Sequence, residues 1–229
     1  MIYGIILSAG KQSRYDDFIP KALADFNGKP LLMYNIYNMK LVCDKVYTVC
    51  SYENEKYFID YPHITIKSGL GCGDAVLKAL KIINPTSKDM VFIQWGDSIQ
   101  EMSLYIAMKK NLKSDIILPC VKNKKPYVQV KEENGKIKVL FSKYGEQTQK
   151  GYNDLGIFYG KAKKILFYLE KYAKSVTKWC EYNTIHNNEL LFLDMFNYTG
   201  IKTDLLLFNN YKGFNFNTIQ EFNKRKESF

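Results

Sequence analysis

In the first half of the chain, short apolar runs alternate with stretches whose apolar residues recur at helical spacing. The runs predict strands at Tyr3–Leu7, Val46–Cys50, Ile64–Ile66, Met90–Trp95 and Ile116–Val121. Between them, helices are predicted from Pro30 to Met39, from Gly73 to Ile83 and from Met102 to Leu112. Alternating strands and helices are typical of an α/β fold with a largely parallel sheet.

The pattern changes after residue 121. Tyr127–Lys131 and Lys136–Phe141 alternate apolar and polar residues around Glu133-Asn134-Gly135, which predicts an antiparallel hairpin. Beyond it, the pattern predicts strands at Leu155–Tyr159 and Thr203–Phe208, helices at Lys163–Lys174 and Glu189–Asn197, and a last stretch, Gly213–Phe222, before a basic tail. We expect an α/β, Rossmann-like fold, with a mixed, mostly parallel sheet flanked by helices. We expect one domain, with halves at residues 1–121 and 122–229.

Composition adds little to this picture but excludes some classes of protein. Apolar residues make up 46% of the chain and charged residues 24%, which is usual for a folded domain. No apolar run approaches the roughly 18 residues of a membrane span. The N-terminus begins directly as a buried strand, without the basic leader of a signal peptide. We therefore expect a cytoplasmic protein without a membrane partner.

Cysteines and histidines give no support for a disulfide framework or a zinc site. The five cysteines are scattered and form no C-x-x-C pair, and the chain has two histidines, His63 and His186.

The net charge is +10, but it does not predict nucleic-acid binding. Of 33 basic residues two are arginine, which leaves 33 − 2 = 31 lysines, spread along the whole chain. Lysine is the weaker residue for bidentate recognition of bases or phosphates. A positive surface still attracts anionic substrates.

The segment 7–14, Leu-Ser-Ala-Gly-Lys-Gln-Ser-Arg, follows the first strand and precedes Pro20-Lys21. Small residues let backbone N–H groups approach a phosphate closely, and Lys11, Arg14 and Lys21 supply three cations. This pattern favours a triphosphate-binding loop. A plain polar loop in a lysine-rich chain remains the alternative.

This loop is neither a Walker A motif nor a dinucleotide-binding glycine motif. It resembles the signature L-A-A-G-x-G-[ST]-R followed by P-K of the sugar-phosphate nucleotidyltransferases, and its spacing is similar to the N-acetylglucosamine-1-phosphate uridyltransferase branch. The segment 27–31, Asn-Gly-Lys-Pro-Leu, is similar to the start of that family's first long helix. Gln12 departs from the pattern, because the family has glycine there.

A second segment, 70–76 with sequence Leu-Gly-Cys-Gly-Asp-Ala-Val, resembles the family's L-G-T-G-x-A loop, which contacts the base. In the uridyl-transferring branch glutamine precedes this leucine, whereas here the residue is Gly69. The resemblance implies that nucleotide-binding residues are Leu7, Ser8, Ala9, Gly10, Lys11, Leu70, Gly71 and Gly73, with UTP or CTP favoured. Without the family, two glycines before a helix indicate only a helix start.

The resemblance also implies a Mg²⁺ site. Asp97 follows the central strand in Gln94-Trp95-Gly96-Asp97, and ligands bind at the carboxyl ends of strands in such sheets. Asn217 matches the family's second metal ligand. The alternatives are that Asp97 caps the next helix and that Asn217 belongs to an asparagine-rich turn.

Acceptor-binding residues implied by the resemblance are Trp95, Lys143, Asp154 and Gly156. The family's usual glutamate and asparagine are here Ser142 and Asp154. The acceptor is therefore expected to differ from an N-acetylhexosamine phosphate.

The implied reaction is nucleotidyl transfer from a nucleoside triphosphate to a sugar phosphate, with release of pyrophosphate. Arg14 would neutralise the pyrophosphate and Lys21 the transferring phosphoryl group, both as catalytic residues. Alternatives are a cytidylyltransferase acting on a non-sugar alcohol phosphate or related acceptor, a nucleotide sensor, and a nucleic-acid-binding module. A glycosyltransferase would need a second carboxylate after Asp97, where the chain has Ser98-Ile99. A homodimer is left open.

Overall fold

The computed structural model describes residues 1–10, 19–67, 70–142, 146, 150–179, 181–209, 211–216 and 219–226, of which residues 215, 219, 225 and 226 are described by their backbone alone. The strands are β1 Ile2–Leu7, β2 Asp25–Phe26, β3 Lys29–Pro30, β4 Lys45–Ser51, β5 His63–Ile66, β6 Met90–Trp95, β7 Ser98–Ile99, β8 Ile116–Asn123, β9 Val128–Glu133, β10 Lys136–Phe141, β11 Gly151–Asp154, β12 Ile157–Lys161, β13 Thr177–Lys178, β14 Glu181–Tyr182, β15 Thr203–Leu207 and β16 Phe214–Asn215. The helices are α1 Leu31–Lys40, α2 Cys72–Ile83, α3 Met102–Asn111, α4 Ala162–Val176, α5 Met195–Thr199 and α6 Ile219–Lys226, with short 3₁₀ turns at Lys21–Leu23 and Tyr52–Tyr57.

Among the described residues, ten strands form one large sheet. Its order is β10-β9-β11-β8-β12-β6-β1-β4-β5, and β15 also pairs with β8. Strands β1, β4, β5 and β6 pair in parallel, as do β8 and β15. Strand β12 lies between β6 and β8 and is antiparallel to both. The expected mixed, mostly parallel sheet flanked by helices is confirmed, as is the hairpin of β9 and β10.

The two faces of the sheet carry different helices because successive side chains of a strand point to opposite faces. Ile5 of β1 packs in the cluster that includes residues of α2, α4 and α5. Its neighbour Ile6 packs in the cluster that includes residues of α1 and α3. Both side chains are fully buried. A strand covered on both faces needs a continuous apolar run, which the sequence of β1 and β6 supplies.

The helix predicted at Glu189–Asn197 is wrong over most of its length. Helix α5 begins at Met195, and the preceding residues 190–193 are buried without helical structure. The backbone of Leu190 hydrogen-bonds outside its own segment, with Leu70 and Gly73. These long-range bonds replace the helical ones that the apolar periodicity had indicated.

Within the described residues, no helix has both the length and the apolar character needed to cross a membrane.

Candidate active site

The neighbouring strands β1 and β6 end side by side, with Leu7 opposite Trp95. The next residue, Gly96, donates its backbone N–H to the carbonyl of Leu7 at 2.8 Å. A Cβ atom at Gly96 would lie 2.6 Å from that carbonyl oxygen and 2.6 Å from Ser8 Oγ. Only glycine therefore lets the two loops approach this closely.

Asp97 occupies a tight turn that follows Gly96. Ser98 closes the turn by donating its hydroxyl to the carbonyl of Trp95 at 2.8 Å. The backbone N–H of Phe216 donates to the carbonyl of Asp97 at 3.2 Å, next to the short pairing of β16 with β7. Helix α3 has Glu101 at its N-cap, so the interpretation of Asp97 as a helix cap is wrong.

Lys21 lies in the 3₁₀ turn after Pro20 and points toward this turn. Its ammonium nitrogen is 3.9 Å from Oδ2 of Asp97 and 5.8 Å from the ring centre of Phe216. The lysine is 9% exposed, while the side chain of Asp97 is 34% exposed. The fold thus brings a predicted catalytic cation and a predicted metal ligand together at the carboxyl ends of β1 and β6.

A buried network of hydrogen bonds around Gln94 holds the turn at Asp97. This network was not predicted from the sequence. Gln94 donates from Nε2 to Asn35 Oδ1 at 2.8 Å and to the carbonyl of Ser98 at 3.2 Å. Tyr105 donates its hydroxyl to Oε1 of the same glutamine. Hydrogen bonds in a buried, low-dielectric site are stronger than in water, so this network stabilises the end of β6. The sole signal in the sequence was one glutamine inside an otherwise apolar strand.

The loop after β1 offers polar groups to a ligand. The backbone N–H of Ser8 is used, donating to the carbonyl of Val49 at 2.8 Å. The Ser8 hydroxyl is buried and has no hydrogen-bond partner among the described residues. A Cβ at Gly10 would meet no atom of the described residues within 4 Å. These features fit a loop that receives a polar ligand, since buried hydroxyls are otherwise nearly always bonded.

The loop at Leu70–Gly73 has a structural reason for its glycines. Gly71 has a φ of +96°, and Gly73 donates its N–H to the carbonyl of Leu190 at 2.7 Å. A Cβ at Gly73 would lie 2.7 Å from the same oxygen. The N–H of Leu190 in turn donates to the carbonyl of Leu70 at 2.9 Å. The segment at Leu190 therefore lies directly on this loop, whose role in nucleotide binding stays a prediction.

Trp95, Asp154 and Gly156 lie together on the other side of β6. Trp95 donates its N–H to the carbonyl of Gly156 at 2.9 Å, and a Cβ at Gly156, whose φ is +70°, would lie 2.8 Å from the indole ring. Asp154 is 6% exposed and accepts the N–H of Gly156 at 3.0 Å. Burial raises the pKa of this carboxyl to about 6.

Four predicted site residues, Lys11, Arg14, Lys143 and Asn217, lie outside the described residues. Asn217 directly follows Phe216, whose backbone is bonded to Asp97.

A mostly parallel α/β sheet with a cation, a carboxylate and a small-residue loop at adjacent strand ends is the arrangement that the family resemblance implies for a nucleotidyltransferase. Residues 4–142, more than half of the chain, match the family described as the MobA-like NTP transferase domain. The chain belongs to this family.

Individual proteins are also similar to this chain, one in sequence and others in fold. The bifunctional protein GlmU of Buchnera aphidicola subsp. Schizaphis graminum is 31% identical over 145 residues, which cover 58% of this chain and 31% of the relative. This chain thus spans about a third of that relative's length. Among solved structures, a Bacillus anthracis protein assigned as a glucose-1-phosphate thymidylyltransferase has a TM-score of 0.77 at 16% identity, covering 100% of this chain and 95% of its own. The inositol-1-phosphate CTP transferase from T. maritima has a TM-score of 0.73 at 19% identity, covering 98% and 93%.

Proposed function

We propose that this protein transfers a nucleoside monophosphate from a nucleoside triphosphate to a sugar phosphate, forming a nucleoside diphosphate sugar and pyrophosphate. The observation that carries the proposal is the approach of Lys21 to Asp97 at the ends of β1 and β6. In this reading, residues 1–121 bind the nucleotide and residues 122–229 bind the acceptor.

The chemistry needs positioning and charge neutralisation more than covalent help. An acceptor phosphate oxygen forms a bond to the α-phosphorus while the bond from that phosphorus to the bridging oxygen of the β-phosphate breaks, and the electron pair leaves with pyrophosphate. The attacking oxygen is already ionised near neutral pH, so no general base is required. Lys21, held in a nearly buried position, stabilises the negative charge that builds on the transferring group.

Arg14 would stabilise the departing pyrophosphate through its fixed fork of N–H donors. The small residues of the loop at Ser8–Gly10 would approach the phosphates through their backbone. The unpaired hydroxyl of Ser8 supports this placement.

A divalent cation fits Asp97, whose carboxylate is a hard oxygen donor and is partly open to solvent. Asn217 would add an amide oxygen. When bound, Mg²⁺ supplies neutralising charge to the phosphates at the reacting centre.

The acceptor class is supported by what the similar proteins are named for. One structural neighbour is named for glucose 1-phosphate and another for inositol 1-phosphate. Both acceptors present a phosphate on a ring carrying hydroxyl groups. The second neighbour is also named for CTP, which favours the alternative of a cytidylyltransferase acting on a non-sugar alcohol phosphate. Gly69 stands where the uridyl-transferring branch has glutamine, and this difference also weakens the case for UTP.

The test is a pyrophosphate-release assay with Mg²⁺, each nucleoside triphosphate and a panel of sugar and alcohol phosphates. We expect release with UTP or CTP, and a loss of about 10²–10³ in turnover for Lys21→Met. Lys171→Met is the matched control, because Lys171 is exposed on α4 and distant in sequence from the site. The proposal would be contradicted if none of the triphosphates gave pyrophosphate, or if Lys21→Met and Lys171→Met lost turnover equally.

A further inference from the structure

The C-terminal segment packs against both of the turns that carry Lys21 and Asp97. Strand β16 pairs with β7, with Phe214 opposite Ile99, so the segment lies beside the turn of Asp97. Its aromatic residues also belong to a buried apolar cluster, which we call the C-terminal cluster. Members of this cluster include Ala24, Phe26, Ile99, Phe214, Phe216 and Phe222. Residues that are far apart in the sequence therefore join the two turns.

The C-terminal cluster holds the backbone of the Lys21 turn. Ala24 is 3% exposed and donates its N–H to the carbonyl of Lys21 at 3.1 Å. Phe26, two residues further along, contacts Phe214 at a ring-centroid distance of 5.5 Å. The place of Lys21 in the fold thus depends on packing against the end of the chain.

Phe216 contacts both turns directly. Its backbone N–H donates to the carbonyl of Asp97 at 3.2 Å, and the centre of its ring lies 5.8 Å from Nζ of Lys21. The negative face of an aromatic ring attracts an ammonium group within about 6 Å, and the attraction is larger where water is excluded. Phe216 is fully buried and Lys21 is 9% exposed, so water screens this contact little.

The ring adds to what the carboxylate of Asp97 does for Lys21. The ion pair between Lys21 Nζ and Asp97 Oδ2 measures 3.9 Å, which is longer than a hydrogen bond, so it restricts the direction of the ammonium group only loosely. The ring of Phe216 is itself held by packing, with the ring of Phe222 at a centroid distance of 4.6 Å. A second contact on a fixed ring narrows the positions that the ammonium group can take.

We propose that Phe216 is a positioning residue for the transfer step, whose ring holds the Lys21 ammonium group in the place where it meets the transferring phosphoryl group. The inference rests on the proposed function, because it concerns the cation that acts there. Phe216 acts through Lys21 and has no contact of its own with the substrate in this proposal.

Two matched variants separate this role from packing. Phe216→Leu removes the ring next to Lys21 and keeps a buried apolar side chain. Phe222→Leu makes the same change in the same cluster but leaves the ring of Phe216 in place. Both should lower stability in urea denaturation. We expect kcat to fall roughly five- to thirtyfold in Phe216→Leu and no more than about threefold in Phe222→Leu, with KM for the triphosphate within about twofold of wild type in both. Equal losses of kcat would overturn the inference.

The effect of the ring should require the charge of Lys21. In a Lys21→Met background, Phe216→Leu is expected to lower kcat by less than about twofold further, because the neutral side chain gains little from the ring face. If Phe216→Leu lowers kcat by the same factor in both backgrounds, the residue acts only through packing or through the Asp97 turn, and the inference is wrong.

A change within the ring keeps the test valid even if Phe216→Leu does not fold. Placing 3,4,5-trifluorophenylalanine at position 216 nearly preserves the size of the side chain but withdraws electron density from the ring face, which weakens its attraction for a cation. We expect kcat to fall while the protein still unfolds cooperatively. Wild-type kcat in this protein would contradict the proposal.

A readout that does not depend on turnover distinguishes failure of the inference from failure of the proposed function. Urea denaturation of wild type, Lys21→Met, Phe216→Leu and the double variant gives the coupling between the two side chains. We expect a coupling of roughly three- to thirtyfold in the folding equilibrium constant. Strictly additive changes would overturn the inference whatever the turnover. If the coupling is present but no acceptor of the panel gives pyrophosphate, the proposed function fails, and the role of the contact in transfer fails with it.

Discussion

The ammonium nitrogen of Lys21 lies 3.9 Å from a carboxylate oxygen of Asp97, although the two residues come from different loops. Two backbone contacts make this approach possible. Gly96 binds the carbonyl of Leu7, and Phe216 binds the carbonyl of Asp97. The short distance between Lys21 and Asp97 therefore depends on how the folded chain brings the carboxyl ends of β1 and β6 together.

Two glycine-to-alanine substitutions separate stability from nucleotide binding. Gly96→Ala places a Cβ against the backbone of Leu7, so we expect a loss of roughly 1–3 kcal/mol in the free energy of unfolding, together with lower activity. Gly10→Ala meets no atom of the described residues within 4 Å and should change stability by less than about 0.5 kcal/mol. Its methyl group would still stand where the loop backbone is proposed to approach phosphate, which should raise KM for the triphosphate.

Urea denaturation and steady-state kinetics on both variants check this prediction. If Gly10→Ala has the wild-type KM for the triphosphate, the loop at Gly10 does not contact the nucleotide. Wild-type stability in Gly96→Ala would mean that the two loops are further apart than the structure places them.

Stability should depend on pH through Asp154. Burial raises its folded-state pKa to about 6, above the unfolded value of about 3.9, so its contribution to stability is fully present below about pH 4 and is lost as pH rises through 6. Asp154→Asn cannot lose a proton and should be more stable than wild type by about 3 kcal/mol at pH 8, and by roughly half of that at pH 5.

Chemical denaturation of both proteins at the two pH values measures this difference. If Asp154→Asn is less stable than wild type at pH 8, the carboxylate already has a compensating cation inside the protein.

Gly73→Ala should loosen the segment at Leu190. The added Cβ would lie 2.7 Å from the carbonyl oxygen of Leu190, so the bond from Gly73 to that oxygen cannot keep its geometry. We expect faster amide hydrogen exchange at Leu190, whose N–H is bonded to Leu70, and unchanged exchange at Ile6 in β1. Unchanged exchange at Leu190 would show that the contact does not hold the segment in place.

The sequence predicted two kinds of element well: strands that are buried on both faces and hairpins that are set by their turn residues. Strand β6 was predicted with its observed bounds, because a strand buried on both faces is apolar throughout. The hairpin of β9 and β10 was predicted from Asn134-Gly135, and both residues have the positive φ values that its turn requires, 52° and 70°.

The rest depended on contacts between distant segments. The sequence did not predict that β12 lies between β6 and β8. An apolar strand can pair with any other buried strand, so its pattern alone does not identify its neighbours. Residues 190–193 read as helical by periodicity, but their backbone is bonded to the loop at Leu70–Gly73. In the site, the family resemblance identified Lys21 and Asp97, whereas the supporting bond from Phe216 and the network around Gln94 emerge only from the fold.

The most direct test of the account is a comparison of the rates of pyrophosphate release by wild type, Lys21→Met, Asp97→Asn and the double variant. The assay contains Mg²⁺, the preferred triphosphate and the preferred sugar or alcohol phosphate. Because Lys21 and Asp97 are proposed to act on one reacting phosphate, each single change should cost about 10²–10³ in kcat, and the double change much less than the product of the two. All four proteins should unfold cooperatively. Wild-type turnover in either single variant, or fully multiplicative losses in the double variant, would contradict a shared active site.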